Sequence, residues 1–371
     1  MTQSKCRIHA DPAIFFSEDD QEDQFDLLPD PLILVILNKL SDVRSLGRCL
    51  AVSRRFNSLV PQVTDLFVRI DRVVTSDGPG CTGDSDETLT LTSTKPRNLF
   101  SHLLKLMLFT ILKPLNHLHG GVGGPHRPLL PQLSHHSPVQ VLKNFTNVEN
   151  LRIELPAGDV GTEEGVILKW KAEFGSTLQN CVILGGTRMD SKPATDSAMI
   201  TSSLSPEENN GSIPESFYTN GGLKLRVVWT ISSLIAASTR HYLLRQIIKE
   251  HPTLKSLVLT DADGQGTLIM KKEQLKEFRE KPLAPSASSS RTQVPASNMK
   301  LRYAPYLELP GGVGIHGATL VVIRPAGDGN NGSGKKDTEA FVSDAFEGST
   351  YKDAVKALLK RRTYLLEMNG F

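Results

Sequence analysis

Four cysteines in 371 residues, Cys6, Cys49, Cys81 and Cys181, form no CxxC pair and no metal-ligand spacing. That argues against a disulfide-stapled scaffold and a zinc module, and fits free thiols in a reducing compartment. No apolar run reaches the ~18 residues of a membrane span, so no membrane partner is expected. The opening stretch MTQSKCRIHADPAIFFSEDD lacks the apolar core of a secretory signal. Excess charge is missing too. The net charge is +2, which gives no reason to expect nucleic acid. Catalytic signatures are absent: there is no GxSxG, HExxH or P-loop, and no nucleophile stands beside a base. Neither an enzyme nor a cofactor is therefore expected. Apolar residues are also scarce at 39%, which predicts that part of the chain is loop or disorder.

What charge there is clusters. Glu18, Asp19, Asp20, Glu22, Asp23 and Asp26 crowd one short segment, so residues 1–24 read as a disordered acidic tail. Five stretches rich in Gly, Pro, Ser and Asn read as long disordered loops, near 75–94, 119–138, 186–220, 282–298 and 325–337.

Between the loops a short apolar pattern recurs. It runs Val63-x-x-Leu66-x-Val68, then Val148-x-x-Leu151-x-Ile153, Leu178-x-x-Cys181-x-Ile183 and Leu254-x-x-Leu257-x-Leu259, with Ala304-x-x-Leu307-x-Leu309 as a weak fifth. The alternating end predicts a strand with one buried face, and the leading apolar residue is what leucine-rich repeats use to turn into that strand. The starts keep no common period, so the array is irregular, and an ordinary α/β domain remains the alternative. Helices are predicted over Leu99–Leu112, over Glu163–Phe174 (Thr162 as N-cap, Gly175 as stop), and over Tyr351–Arg362. The longest helix signal ends at Pro252, and its β-branched start at Val227–Val228 is equally a strand signal.

Several local motifs carry possible chemistry. Gly312, Gly314 and Gly317 fit GxGxxG, but ATLVVIRP follows, a strand ending in Pro, so the motif reads as a tight turn. Asp261-Ala-Asp263-Gly264 lacks the further ligands of a calcium loop and reads as a turn. His117, His119, His126, His135 and His136 sit in a Gly/Pro-rich loop with nothing to fix metal geometry. Lys335-Lys336 and Lys360-Arg361-Arg362 are short basic clusters compatible with nuclear entry or with a solvated helix end. Trp170, Phe174, Trp229 and Tyr242 read as core, and are the first aromatics to inspect in any pocket.

The most informative stretch is FDLLPDPLILVILNKLSDVRSLGRCLAVSRRFNSLVPQ, residues 25–62. Asp30 caps and Pro31 starts a first helix that runs to Leu40. Ser41 or Asp42 caps a second helix carrying Val43, Leu46 and Leu50. Ser53 caps a third with Phe56, Leu59 and Val60, and Pro61 ends it. The first helix is apolar around more than half its circumference. A unit of under ~40 residues without disulfide or metal does not cover such a helix by itself. One apolar stripe needs another protein or the rest of the chain.

Leu28-Pro29 before an apolar helix, then Leu40, Leu46, Val52-Ser53-Arg54-Arg55-Phe56 and Leu59, resembles an F-box. The family often has Cys-Lys-x-Trp where Ser53–Phe56 stands, and Phe56 keeps the large aromatic. VLKNFTNVENLRIELPAGDV, GGLKLRVVWTISSLIAASTRHYLLRQIIKEHPTLKSLVLTDADGQGTL and LRYAPYLELPGG are similar to a group of plant F-box proteins that includes the Auxin-upregulated F-box proteins. The resemblance implies an F-box at 25–62 followed by an α/β leucine-rich-repeat-like recognition region at 63–371, α+β in all. It implies docking on a Skp-type adaptor, with a cullin and a RING subunit joined through it in an SCF ubiquitin ligase, and an unidentified target protein. Leu28, Pro29, Leu32, Ile36, Leu40, Leu46, Val52 and Phe56 are the expected docking residues, some of them core. The nucleus and/or cytoplasm is the expected location. The alternative is a non-ligase F-box scaffold in plant growth or hormone signalling.

Overall fold

The computed structural model describes residues 25–70, 141–158, 160–191, 213–281, 291–327, 340–346 and 350–371. The expected acidic tail, the expected loops at 75–94 and 119–138, the Leu99–Leu112 helix and the histidine cluster lie outside these residues, as does Lys335-Lys336. So do the middles of the other three expected loops.

Three short helices open the described chain: α1 (Asp30–Leu40), α2 (Val43–Cys49) and α3 (Arg54–Leu59). Pro29 occupies the N-cap of α1, with Asp30 in the first turn, so Asp30 acts through the helix dipole and not as the expected side-chain cap. Ser41 ends the helix in a left-handed conformation with φ 48°, its N–H bonded to the Leu37 carbonyl. Asp42 caps α2, accepting the Ser45 N–H at 2.9 Å. Ser53 caps α3, accepting the Phe56 N–H at 3.2 Å.

The rest is built on one mixed sheet of ten strands among the described residues. They are β1 (Asp65–Arg69), β2 (Asn150–Leu155), β3 (Ile167–Phe174), β4 (Leu178–Gly186), β5 (Arg188–Ser191), β6 (Ser256–Asp261), β7 (Gly266–Lys271), β8 (Ser297–Leu309), β9 (Val313–Pro325) and β10 (Tyr364–Met368). The order is β1-β2-β6-β7-β3-β4-β9-β8-β10, with β5 pairing beside β4 along β9. Helices α4 (Gly222–Glu250), α5 (Lys272–Glu280) and α6 (Thr350–Leu359) pack on it.

Three of the repeated patterns sit side by side. β1, β2 and β6 run parallel, and their apolar residues stack in register: Leu66 beside Leu151 beside Leu257, and Val68 beside Ile153 beside Leu259. All six are buried, as are the leading residues Val63, Val148 and Leu254. The pattern thus forms a three-rung ladder with one face in the core. The other two patterns do not extend it. Cys181 and Ile183 lie in β4, and Leu307 and Leu309 in β8, both strands with antiparallel neighbours. Period-two alternation reports a half-buried strand and is blind to direction, so it overcounted the array.

Glu163–Phe174 is not a helix. Gly165 turns at φ 85°, and Ile167–Phe174 is β3, with Leu168, Trp170, Ala172 and Phe174 buried along one face. Alternate burial by twos is a strand signature that a helical reading of the same apolar residues misses. Val227–Val228 lies inside α4. Within the expected loop at 186–220, β5 and the single turns Glu215–Phe217 and Thr219–Gly221 are ordered. Of the GxGxxG glycines only Gly312 belongs to the turn between β8 and β9. Gly314 and Gly317 lie inside β9, Gly317 at φ 58° where the pairing skips a residue.

A continuous core joins the three short helices to the ladder and to α4: Ile33, Leu37, Leu46, Leu66, Leu151 and Leu257 belong to it with Trp170 and Trp229. A second core lies between β4, β8, β9 and α6, around Leu184, Leu307, Leu320 and Leu358. Beneath α4, Arg240 and Asp261 form an ion pair at 2.7 Å with side chains 3% and 0% exposed. The Trp170 ring stacks on that guanidinium at 4.8 Å.

Candidate functional site

Helix α1 has two apolar faces with different fates. Ile33 and Leu37, four residues apart, point inward and are 1% and 2% exposed. Leu32, Val35, Ile36 and Leu40 form an adjoining stripe at helical spacing and stay exposed, Leu32 at 50% and Ile36 at 45%. The inner face is covered by α2, α3 and β1. The outer one is left bare by the described residues.

The entry to α1 is held by one side chain. Arg55 on α3 donates to the Phe25 carbonyl at 2.8 Å and to the Leu28 carbonyl, and its Nε and Nη2 both reach the Asp30 carboxylate, at 2.9 and 2.7 Å. The Phe25 ring meets Phe56 edge-on, centroids 5.7 Å apart. This clamp pins the Leu28-Pro29 corner beside α3. The ion pair itself is solvent-exposed and contributes little; the backbone carbonyls it holds are what fix the corner.

A Leu-Pro corner, an outward apolar strip and two side-chain-capped helices within forty residues meet a known pattern here. Residues 25–72 match the F-box-like family. F-box protein At5g46170 of Arabidopsis thaliana is 49% identical to the chain over 98% of it and 97% of the relative. F-box proteins AUF2 and AUF1 of the same plant are 42% and 38% identical over 94% of the chain and all of the relatives.

The chain belongs to the F-box protein family.

It falls in the plant group that includes the auxin-upregulated F-box proteins. No solved structure matches it. F-box proteins as a family generally act as substrate adaptors of SCF complexes.

The F-box geometry sorts the eight expected docking residues. Pro29, Leu32, Ile36, Leu40 and Val52 are exposed, Val52 most of all at 69%. Leu28 and Phe56 are half-buried against the core and shape the surface from its edge. Leu46 is 0% exposed, inside α2 against the core, and is one of the expected set that is core. Val35, Leu27 and Phe25 were missed and are exposed on the same module. Helical spacing from Leu32 and Ile36 already placed Val35 on the strip.

Other expected sites resolve into structure. Trp170, Phe174 and Trp229 are core. Tyr242 is capped by the Arg245 guanidinium at 4.1 Å. Asp261 accepts the Gly266 N–H at 2.7 Å and Asp263 that of Gln265 at 3.0 Å, which closes the turn between β6 and β7. No group of three or more metal-ligating side chains comes together among the described residues. Burial pushes the Cys181 thiol up to about 12, leaving it inert. No helix of the described residues is long and apolar enough to cross a membrane.

Proposed function

We propose that this chain is the target-recognition subunit of an SCF ubiquitin ligase, working in the nucleus and/or cytoplasm. The bare strip Leu32-Val35-Ile36-Leu40, with Pro29 beside it, docks on a Skp-type adaptor, and a cullin and RING subunit join through that adaptor. The β1-β2-β6 ladder serves as a short leucine-rich-repeat-like array, and the mixed sheet holds a target protein. The chain performs no chemistry; it contributes proximity, holding the target near the ubiquitin carrier.

The observation that carries this reading is the unequal burial of the two apolar faces of α1. Full burial of a Leu, Ile or Val side chain is worth about 1.5–3 kcal/mol, and these four are roughly half-covered already, so each has roughly 1 kcal/mol to gain from a partner. Four such gains reach only a millimolar complex by themselves. Phe25, Leu27 and Pro29 extend the surface toward a stable one.

Co-expression of the full chain with a Skp-type adaptor tests the proposal. The pair should co-purify, and Leu32→Asp with Ile36→Asp should abolish co-purification while the far-UV spectrum is unchanged. Undiminished binding by that folded variant would sink the docking surface. An adaptor complex that recruits no cullin would replace the ligase reading with the scaffold reading.

A further inference from the structure

The ladder has a second face. Its inward residues enter the core; its outward residues form rows across the sheet, set by the register. Phe67, Arg152, Val258 and Ile269 make the middle row across β1, β2, β6 and β7. No helix among the described residues lies over this row, whereas residues 340–346 and α6 cover the neighbouring half of the same face. A concavity of about 520 Å³ opens there, lined by the first three of these residues and by Ser41 at the end of α1. That volume is within the usual range of ligand clefts, roughly 300–1,000 Å³.

Two cations on this face are ion-paired. Arg69 pairs with Glu154 at 2.8 Å, and Lys271 with Glu173 at 2.8 Å. Asp65 accepts from the Asn150 amide at 2.7 Å. Arg152 forms no ion pair with any described residue. Its guanidinium lies 5.6 Å from the Phe67 ring centroid, and its side chain is exposed. An exposed guanidinium held over an aromatic ring keeps its outward N–H groups free for a carboxylate, with the apolar Phe67, Val258 and Ile269 beside it. The flanking edge offers less. The Phe67 N–H already donates to the Ser41 carbonyl at 2.9 Å, so strand addition along β1 is blocked at its centre.

The geometry points to the outer face of β1, β2, β6 and β7 as the docking surface for an extended acidic peptide segment of the target, with a Glu or Asp carboxylate on Arg152 and an adjacent apolar side chain on Phe67 and Val258. This rests on the reading of the sheet as the target-binding part, and names the class of target segment. Because Ser41 links the concavity to α1, a segment held here lies beside the docking strip, at a fixed position relative to the adaptor.

The test is a selection of random displayed heptapeptides on the full chain bound to the Skp-type adaptor, with the selected peptide then titrated by fluorescence anisotropy. Enriched sequences should pair Glu or Asp with apolar neighbours. The best of them should bind at least about tenfold more weakly to Arg152→Glu, and its Gln-for-Glu counterpart should bind the wild type about tenfold more weakly, a loss of the size expected for a charge-assisted bond. Lys249→Glu, on the exposed side of α4, should bind as wild type. Selection without acidic bias, or equal binding to Arg152→Glu in a protein of unchanged melting temperature, overturns the inference. The full chain alone should bind the same peptide. Peptide binding that survives Leu32→Asp with Ile36→Asp shows the surface to be independent of adaptor docking, so failure of the ligase reading and failure of this one are told apart.

Discussion

The side-chain carbonyl of Asn38 accepts the backbone N–H of Thr64 at 2.8 Å, and the N–H of Asp65 at 3.3 Å. Asn38 is on α1 and Thr64 immediately precedes β1, so one amide joins the F-box to the sheet. The Phe67 N–H to the Ser41 carbonyl adds a second tie. The shared core continues from α1 into the sheet, so these ties are backed by packing.

Asn38→Ala leaves these two backbone donors without their acceptor at a half-buried joint. It should cost about 1–3 kcal/mol of stability. Asn38→Asp keeps the acceptor oxygen and should cost less. Chemical denaturation of the three proteins checks the order, and equal stability of Asn38→Ala and wild type would show the joint to be held by packing alone.

Leu46→Ala and Leu32→Ala should separate core from surface. The first removes a fully buried side chain and should destabilise by about 2–5 kcal/mol. The second trims an exposed one and should leave the melting temperature nearly unchanged while weakening adaptor binding. Thermal melts together with adaptor titrations read both quantities.

The Arg240–Asp261 pair predicts a marked asymmetry. Asp261→Ala alone removes the carboxylate from a buried guanidinium and frees the Gly266 N–H, which should cost about 3–5 kcal/mol. Arg240→Met combined with Asp261→Asn should cost much less than the sum of the two single changes. A double-mutant cycle by denaturant unfolding measures the coupling.

His241 sets an acid limit. It is fully buried in α4, stacked on Phe174, with Nε2 donating to the Gly175 carbonyl at 3.0 Å and Nδ1 accepting from the Thr292 hydroxyl at 2.7 Å. Burial lowers its pKa from 6.5 to about 3, outweighing the bond to Gly175. The folded state therefore refuses a proton that the unfolded state takes. Its contribution is complete above pH 6.5 and is lost as pH falls toward about 3, at about 1.4 kcal/mol per pH unit. Stability measured from pH 6 to 4 should fall with about that slope, and His241→Gln should flatten it while lowering the plateau.

Much of the candidate site was legible early, for a local reason. Prolines, caps and apolar spacing between Phe25 and Gln62 are interactions among near neighbours, so residue order alone defines α1 to α3. The in-register ladder was legible too, since Leu66, Leu151 and Leu257 each announce a strand with one buried face. Less could be read where the deciding contact is distant. Glu163–Phe174 carries apolar residues that serve a helix or a strand, and its pairing with β4 and β7 selected the strand. β10 went unread because it is short and its partner, β8, lies in another segment.

The sequence by itself determined that α1 has more apolar surface than its own module can cover, because helical periodicity follows from spacing alone. It could not say which stripe is covered. Placing α2, α3 and β1 against one side buries Ile33 and Leu37 and leaves Leu32 and Ile36 uncovered by the described residues. Only the tertiary structure made that choice. The two faces of α1 are chemically alike, and what distinguishes them is where the rest of the chain packs.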